Sequence, residues 1–292
     1  MTRWLVTGAG GMLGHDLVTA LDGRDVTALK RSELDITDPD AVRAALAGHD
    51  VVCNAAAWTD VDGAEADEVG ATAVNGAGPA NLAAACAASG ARLLHISTDY
   101  VFAGDGHDPY PEDAATEPIN AYGRGKLAGE RAVRATLPDG GYVVRTAWLY
   151  GAHGRNFVTT MLRLAGERDL VDVVEDQHGQ PTWSGDLARR LVALGDAALA
   201  GAAPAGVYHG TASGQTTWHG LARAVFAAAG HDPDRVRPTT SDRFPRPARR
   251  PAYSVLGHAR WATAGMSAMR DWRAMLASAL SSSSFGVEKG SA

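Results

Sequence analysis

A tyrosine and a lysine four residues apart, Tyr122 and Lys126, are the residues of this chain whose types and spacing best suit acid–base chemistry. Side chains with this spacing lie on one face of a helix. A phenol with a pKa of about 10 is a poor acid–base group at neutral pH, and a neighbouring ammonium lowers that pKa. The pair is therefore predicted to be a proton donor that the lysine tunes.

Thr98 is the third candidate, because it lies at the end of a predicted strand in the sequence Ser97-Thr98-Asp99. Ligands bind beyond the carboxyl ends of strands in open α/β sheets, and a hydroxyl there can donate to a developing oxyanion. A strand-end threonine is often structural, and a Tyr-x-x-x-Lys pair often arises by chance. Combined with the glycine loop described next, however, they predict a catalytic group of Thr98, Tyr122 and Lys126.

A glycine-rich loop follows the first predicted strand and opens the first predicted helix. The strict G-x-G-x-x-G pattern fails because Leu13 stands where its last glycine should be, but a G-x-x-G-x-x-G spacing fits. Glycines let the backbone approach a pyrophosphate, whose charge then lies on helix N-terminal amides. The alternative is an ordinary glycine turn. The residues predicted to contact a dinucleotide here are Gly8, Gly11, Met12, Leu13 and Gly14.

Two basic residues, Lys30 and Arg31, end the second predicted strand, where an NAD-binding domain carries an acidic residue. Basic groups at this point attract a 2′-phosphate, so NADPH is predicted as the preferred cofactor and use of NADH is left open. The alternative is that both are solvated charges on a loop. Further cofactor contacts are predicted at Asp35, Ile36, Ala55, Ala56 and Ala57.

Short apolar runs that alternate with helical patterns must position these residues. Buried parallel strands are predicted at 4–7, 25–29, 50–54, 92–97 and 142–146. Helices are predicted at 12–21, 39–47, 78–88 and 121–135. This alternation predicts an α/β fold with a Rossmann-type doubly wound parallel sheet over residues 1–150.

The pattern changes after residue 150. Helices are predicted at 156–166, 185–199 and 218–229, strands at 170–175 and 206–209, and an irregular stretch at 241–251. Residues 151–280 are predicted to form mainly a smaller C-terminal substrate-binding lobe, with an interleaved boundary. Residues 281–292 are predicted to be disordered, because they begin with four serines and have little apolar content.

Composition excludes several classes of protein. The net charge of −6 disfavours nucleic acid and anionic membranes as partners, and no run of eighteen apolar residues could span a bilayer. The 2 cysteines are too few for a disulfide framework. We expect a cytoplasmic protein that binds a small molecule and is a monomer or homodimer.

The sequence resembles the extended short-chain dehydrogenase/reductases, and more narrowly the dTDP-4-dehydrorhamnose reductase family. The similarity covers roughly residues 3–276, and the later motifs are the more specific ones. The matching stretches are the glycine loop and residues 34–38 (LDITD), 54–59 (NAAAWT), 97–102 (STDYVF), 122–130 (YGRGKLAGE), 145–150 (RTAWLY), 176–182 (DQHGQPT), 245–251 (PRPARRP) and 253–256 (YSVL).

The resemblance implies that Thr98, Tyr122 and Lys126 reduce the C4 ketone of a dTDP-4-keto-6-deoxy-L-hexose with NADPH. Activated rhamnose is the default product. The resemblance also adds Asn75 to the predicted cofactor contacts. It implies substrate contacts at Thr59, Thr98, Asp99, Tyr122, Trp148, Arg249 and Arg250. Arginines suit a diphosphate because they donate in pairs; the alternative for these two is a surface role.

Three rival interpretations of the function apply to these residues. A sugar-nucleotide 4,6-dehydratase would carry an Asp-Glu pair after Thr98, whereas this chain has Asp99-Tyr100. A non-catalytic NADP-binding regulatory subunit is disfavoured by the intact Tyr122 and Lys126. A reductase for another dTDP-deoxysugar of antibiotic biosynthesis, such as dihydrostreptose, stays open.

Some relatives bind magnesium through acidic residues, and Asp16 lies near one such position, but no further ligand is identifiable, so no metal is predicted.

Overall fold

The computed structural model describes residues 1–282 and residue 285. The strands are β1 (Arg3–Thr7), β2 (Asp25–Leu29), β3 (Val51–Asn54), β4 (Arg92–Thr98), β5 (Gly141–Thr146), β6 (Leu149–Tyr150), β7 (Val171–Val174), β8 (His178–Gly179), β9 (Thr182–Trp183), β10 (Gly206–His209), β11 (Thr216–Thr217) and β12 (Val236–Thr239). The helices are α1 (Met12–Ala20), α2 (Pro39–Leu46), α3 (Val61–Ala66), α4 (Glu68–Thr72), α5 (Gly78–Ser89), α6 (Ala121–Thr136), α7 (Phe157–Glu167), α8 (Ser184–Leu199), α9 (Trp218–Ala228), α10 (Arg260–Thr263) and α11 (Trp272–Ser281).

A six-stranded sheet with the order β10-β5-β4-β3-β1-β2 forms the centre of the molecule. Every pairing in it is parallel, which confirms the predicted doubly wound Rossmann-type sheet. The chain leaves β1 for β2 on one side and returns to β3 on the other, so the strand order reverses beside β1. A crevice opens at such a reversal, beyond the carboxyl ends of the strands.

The sheet also takes elements from the second half of the chain. Strand β10 pairs with β5, and helix α8 packs against α1. The sheet is therefore not built from residues 1–150 alone. The assignment of residues 151–280 to a substrate-binding lobe stays a prediction.

Two apolar layers cover the sheet. One contains Trp4 and Val144 of the sheet and Leu191 of α8, and it continues into the second half of the chain through Phe226 and Trp272. The other packs the opposite sheet face, including Leu5 and Val143, against α2 and α5. Because the first layer is continuous, the second half of the chain is packed directly onto the sheet that carries the crevice.

The segment between β3 and α5 was not predicted to be regular. It forms α3 and α4, which Asp60 and Asp67 cap, and then a π-helical turn at Ala73–Ala77. These helices are too short to show an apolar period, so pattern analysis misses them. Helices α10 and α11 were missed as well.

The predicted disordered tail lies mostly outside the described residues. Ser281 is the last residue of α11, so that prediction is wrong at its first position. Among residues 1–282 and 285, no helix combines the length and apolar character that crossing a bilayer requires.

Candidate active site

A cleft of about 1540 Å³ lies at the carboxyl edge of the sheet. It is lined mainly by loops that follow β1, β2 and β3 and by the start of α6. The predicted site residues that line it are Gly8, Gly11, Met12, Leu13, Gly14, Lys30, Arg31, Asp35, Ile36, Ala55, Ala56, Ala57, Thr59, Tyr122 and Lys126. The crevice therefore collects residues that are spread over more than a hundred positions of the sequence.

The glycine loop fits a pyrophosphate. A Cβ at Gly8 would lie 2.5 Å from the Ala56 nitrogen, and Gly8 has a φ of +71°. A Cβ at Gly14 would lie 2.3 Å from the Gly8 carbonyl oxygen, so this position also requires glycine. Gly11 is the N-cap of α1 and offers no side-chain hydrogen bond, which leaves the first-turn amides of the helix for an anion. Leu13 breaks the strict fingerprint because its side chain is buried in the core.

The basic pair lies where a 2′-phosphate would be recognised. The stem of Lys30 packs over Gly10 of the glycine loop, and both Lys30 and Arg31 line the cleft. The Asp35 carboxylate accepts hydrogen bonds from the nitrogen and hydroxyl of Thr37, which lower the pKa of Asp35. That carboxylate therefore closes a local turn, and the contact of Lys30 and Arg31 with a 2′-phosphate stays a prediction.

Replacing Lys30 and Arg31 together with alanine is expected to weaken NADPH far more than NADH. A charge-assisted hydrogen bond contributes roughly 1.5–3 kcal/mol, and NADH lacks the phosphate that would receive it. Fluorescence titration of both cofactors measures the difference. Arg43→Ala, an exposed arginine on α2 that pairs with Asp40, is the matched control. Equal losses for the two cofactors would show that Lys30 and Arg31 are only solvated charges.

Tyr122 and Thr98 are brought together by a close approach between α6 and the end of β4. Asn120 caps α6 by accepting from the Gly123 nitrogen, and a Cβ at Gly123 would lie 2.2 Å from the Tyr100 carbonyl oxygen. The Thr98 hydroxyl donates to Asp99 Oδ1 at 3.0 Å and accepts from the Tyr100 nitrogen at 3.2 Å, and Thr98 lies beside Tyr122. Gly123 therefore allows α6 to approach the end of β4 this closely.

The predicted lowering of the Tyr122 pKa is wrong for this structure. Burial raises the pKa of Tyr122 to about 12, the Asp99 carboxylate adds to that rise, and the neighbouring Thr98 side chain opposes it. Lys126 does not offset the burial, because its ammonium donates to the Ile96 carbonyl oxygen at 2.6 Å. Tyr122 is therefore protonated at neutral pH, which is the state that a proton donor requires.

Lys126 is buried, and burial lowers its pKa to about 8 against the opposing effect of Glu130. Glu130 is held instead by Arg145, whose Nε and Nη2 donate to the two carboxylate oxygens at 2.9 and 2.8 Å. Ser97 also donates to Glu130. The sequence analysis missed this network, although an arginine inside the apolar strand β5 was a signal for it.

Six predicted residues do not line the cofactor cleft: Asn75, Thr98, Asp99, Trp148, Arg249 and Arg250. The structure differs from the cofactor prediction most clearly at Asn75. Its amide is buried in the π-helical turn, where Oδ1 accepts from the Trp58 nitrogen and Nδ2 donates to the Trp58 carbonyl oxygen. Both groups are used to fix the loop that follows β3, so Asn75 supports the cleft from behind.

The predicted arginines lie in the Arg-Pro segment (residues 245–251), which follows a short 3-10 turn at Ser241–Arg243. Arg250 pairs with Asp62 at 3.1 Å, and the Ala248 nitrogen donates to the same carboxylate. The Arg249 carbonyl oxygen accepts from Asn120, the cap of the tyrosine-bearing helix. Burial raises the pKa of Tyr100 and the Arg250 charge opposes that rise, which indicates that the segment lies near the Thr98 end of β4.

A cleft built for a dinucleotide, which ends at a half-buried phenol, defines the chain as a reductase of the extended short-chain dehydrogenase type. The family described as RmlD substrate binding domain matches residues 2–285. The chain therefore belongs to the dTDP-4-dehydrorhamnose reductase family.

Individual relatives support this assignment. A dTDP-4-dehydrorhamnose reductase of Streptomyces griseus is 61% identical over 94% of this chain and 91% of its own length. A dTDP-4-keto-6-deoxy-D-glucose reductase of Streptomyces niveus is 53% identical over 95% of this chain and 96% of its own. The crystal structure of dTDP-4-dehydrorhamnose reductase from Bacillus anthracis in complex with NADP is similar with a TM-score of 0.90 and 36% identity, over 96% and 99% of the two chains.

Proposed function

We propose that this chain uses NADPH to reduce the C4 ketone of a dTDP-4-keto-6-deoxy-L-hexose and gives dTDP-L-rhamnose. The observation that carries the proposal is the position of Tyr122, which lines a cleft that fits a dinucleotide and lies on a helix that Gly123 allows to approach the end of β4. The chemistry named for the Streptomyces griseus relative agrees with it. A second candidate substrate is another dTDP-4-keto-6-deoxyhexose, because the Streptomyces niveus relative is named for one.

The residues of the cleft have distinct tasks in this reaction. Bound NADPH supplies the hydride. The glycine loop binds the pyrophosphate, and Lys30 and Arg31 bind the 2′-phosphate. Tyr122 transfers its phenolic proton to the substrate oxygen as the alkoxide forms, and Thr98 donates a hydrogen bond to the same oxygen. Lys126 is assigned to the nicotinamide ribose, because its ammonium donates to the Ile96 carbonyl oxygen and does not lower the Tyr122 pKa.

Substrate binding is assigned to the other side of the catalytic group. Thr98 ends β4, Asp99 follows it, and Thr59 lies on the wall of the cleft. We assign the diphosphate to Arg249 and Arg250, because both lie on the segment that Asn120 and Asp62 tie to the start of α6 and to α3. The chain would do this work in the cytoplasm as a monomer or homodimer.

Arg249→Ala and Arg250→Ala are expected to raise KM for the sugar nucleotide more than they lower kcat. A lost hydrogen bond to a charged group is worth about 1.5–3 kcal/mol, and binding that is uniform through the reaction is seen in KM. Steady-state kinetics and a separate NADPH titration measure the two effects. Arg243→Ala, on the exposed turn just before the segment, is the control. If NADPH affinity fell instead, the Arg-Pro segment would contact the cofactor, and its assignment to the sugar nucleotide would be wrong.

The experiment that tests the function is a panel of dTDP-4-keto-6-deoxyhexoses assayed with the purified chain and NADPH. Loss of the reduced nicotinamide absorbance gives kcat/KM for each sugar, and NMR of the product gives the configuration at C4. The highest kcat/KM is expected for the L-hexose precursor of dTDP-L-rhamnose. A higher value for another sugar selects the second candidate. Binding of NADPH without turnover of any sugar would favour the regulatory-subunit interpretation and overturn the proposal.

A further inference from the structure

Trp148 has an unusual backbone conformation. Its φ is +47°, and it is the one non-glycine residue with a positive φ in the part of the chain that the structure describes. The left-handed region is unfavourable for bulky side chains and persists only where the surroundings impose it. Trp148 stands between Thr146 and Leu149, which both line the cofactor cleft, and Thr146 is the register partner of Thr98. The strained residue is thus next to the catalytic group.

Two residues from other parts of the chain impose this conformation. The ring of Trp218 stacks on that of Trp148 with a centroid distance of 3.6 Å and an interplanar angle of 7°. Gly179 lies against the plane of the same indole, because a Cβ there would lie 2.4 Å from its Cε2 atom. The position of the Trp148 ring is therefore fixed by both contacts. A larger residue at position 179 would displace the ring.

Trp218 is itself fixed. It begins α9 directly after β11, and β11 pairs with β8, whose second residue is Gly179. Its Nε1 donates to Gln177 Oε1 at 3.1 Å, and the Gln177 amide donates to the Ser241 hydroxyl at 2.8 Å. Phe157 packs on it with a centroid distance of 4.6 Å. The short ladder that positions Gly179 thus also positions Trp218, so the three residues form one rigid unit.

We propose that Trp218 and Gly179 are positioning residues that fix Trp148 as a preformed wall of the sugar-nucleotide site. The inference rests on the proposed function and on the substrate contact at Trp148 that the family resemblance implies. A ring that is already immobile loses no further conformational freedom when the substrate binds. Neither Trp218 nor Gly179 lines the cofactor cleft, so NADPH affinity does not depend on them.

The test combines kinetics with circular dichroism. Two stacked indoles couple their transitions and give a paired signal in the far ultraviolet, which reports the geometry of Trp148 and Trp218. In Trp218→Leu this signal should disappear and kcat/KM for the sugar nucleotide should fall by roughly 10- to 100-fold, mainly through KM, with NADPH affinity unchanged. Trp218→Phe keeps a ring against Trp148 and should recover most of the lost kcat/KM. Gly179→Ala should reproduce the loss.

Trp183→Leu is the matched control, because Trp183 is also partly buried in this half of the chain but packs on Arg189 and Arg270. It should keep both the paired signal and KM. Trp148→Leu separates the two hypotheses. If Trp148→Leu raises KM and the Trp218 and Gly179 variants do not, the positioning role is overturned and the proposed function stands. If Trp148→Leu leaves KM unchanged, Trp148 is not a substrate contact, and the wall we infer does not exist.

Discussion

Tyr122→Phe is expected to lower turnover by about 10²–10⁴-fold, the usual contribution of a general acid. The substitution keeps the ring and its packing and removes only the hydroxyl that carries the proton. The fold and NADPH affinity should therefore be retained. Single-turnover kinetics with NADPH at saturation measure the chemical step directly, and circular dichroism checks the fold. A wild-type rate in a folded, NADPH-saturated Tyr122→Phe protein would show that Tyr122 is not the acid.

Two companion variants separate the roles in the catalytic group. Thr98→Val removes a donor at nearly constant volume, so turnover should slow without being abolished. Lys126→Met should lower turnover and also weaken NADPH binding, because we assign its ammonium to the nicotinamide ribose. Unchanged NADPH affinity in Lys126→Met would contradict that assignment.

Arg145→Met is expected to lower the free energy of unfolding by about 3–5 kcal/mol, the effect of removing one partner of a buried ion pair. Arg145 and Glu130 are both only 2% exposed, and the pair is bidentate. Without the arginine, the Glu130 carboxylate would be left buried with the hydroxyl of Ser97 as its remaining side-chain donor. Urea unfolding followed by tryptophan fluorescence measures the change.

Arg124→Ala is the matched control for that measurement, because the Arg124–Glu68 pair is also bidentate but about half exposed. Solvent screens such a pair, so the loss should be about 0–1 kcal/mol. The double variant Glu130→Gln with Arg145→Met should recover part of the stability, since no unpaired charge is then buried. If Arg145→Met were as mild as Arg124→Ala, the buried pair would contribute nothing beyond its surface counterpart.

Pattern and local chemistry determined the larger elements and much of the dinucleotide cleft from the sequence alone. The apolar runs that become β1, β3, β4 and β5 are largely buried in a parallel sheet, and such strands are recognisable because most of their positions are apolar. The glycine loop was recognisable for a related reason, since tight turns that approach a phosphate exclude side chains. The family resemblance then supplied the substrate class, which no periodicity encodes.

Only the tertiary structure decided the properties that depend on distant neighbours. The sequence placed Lys126 beside Tyr122 on a helix face, but the Ile96 carbonyl takes the ammonium and burial governs the phenol, so the pKa of Tyr122 rises. Asn75 was predicted to contact the cofactor, but both ends of its amide hydrogen-bond with the Trp58 backbone. A pKa and a hydrogen-bond partner are set by every group packed around a residue, whereas spacing along the chain reports only the neighbours on its own element.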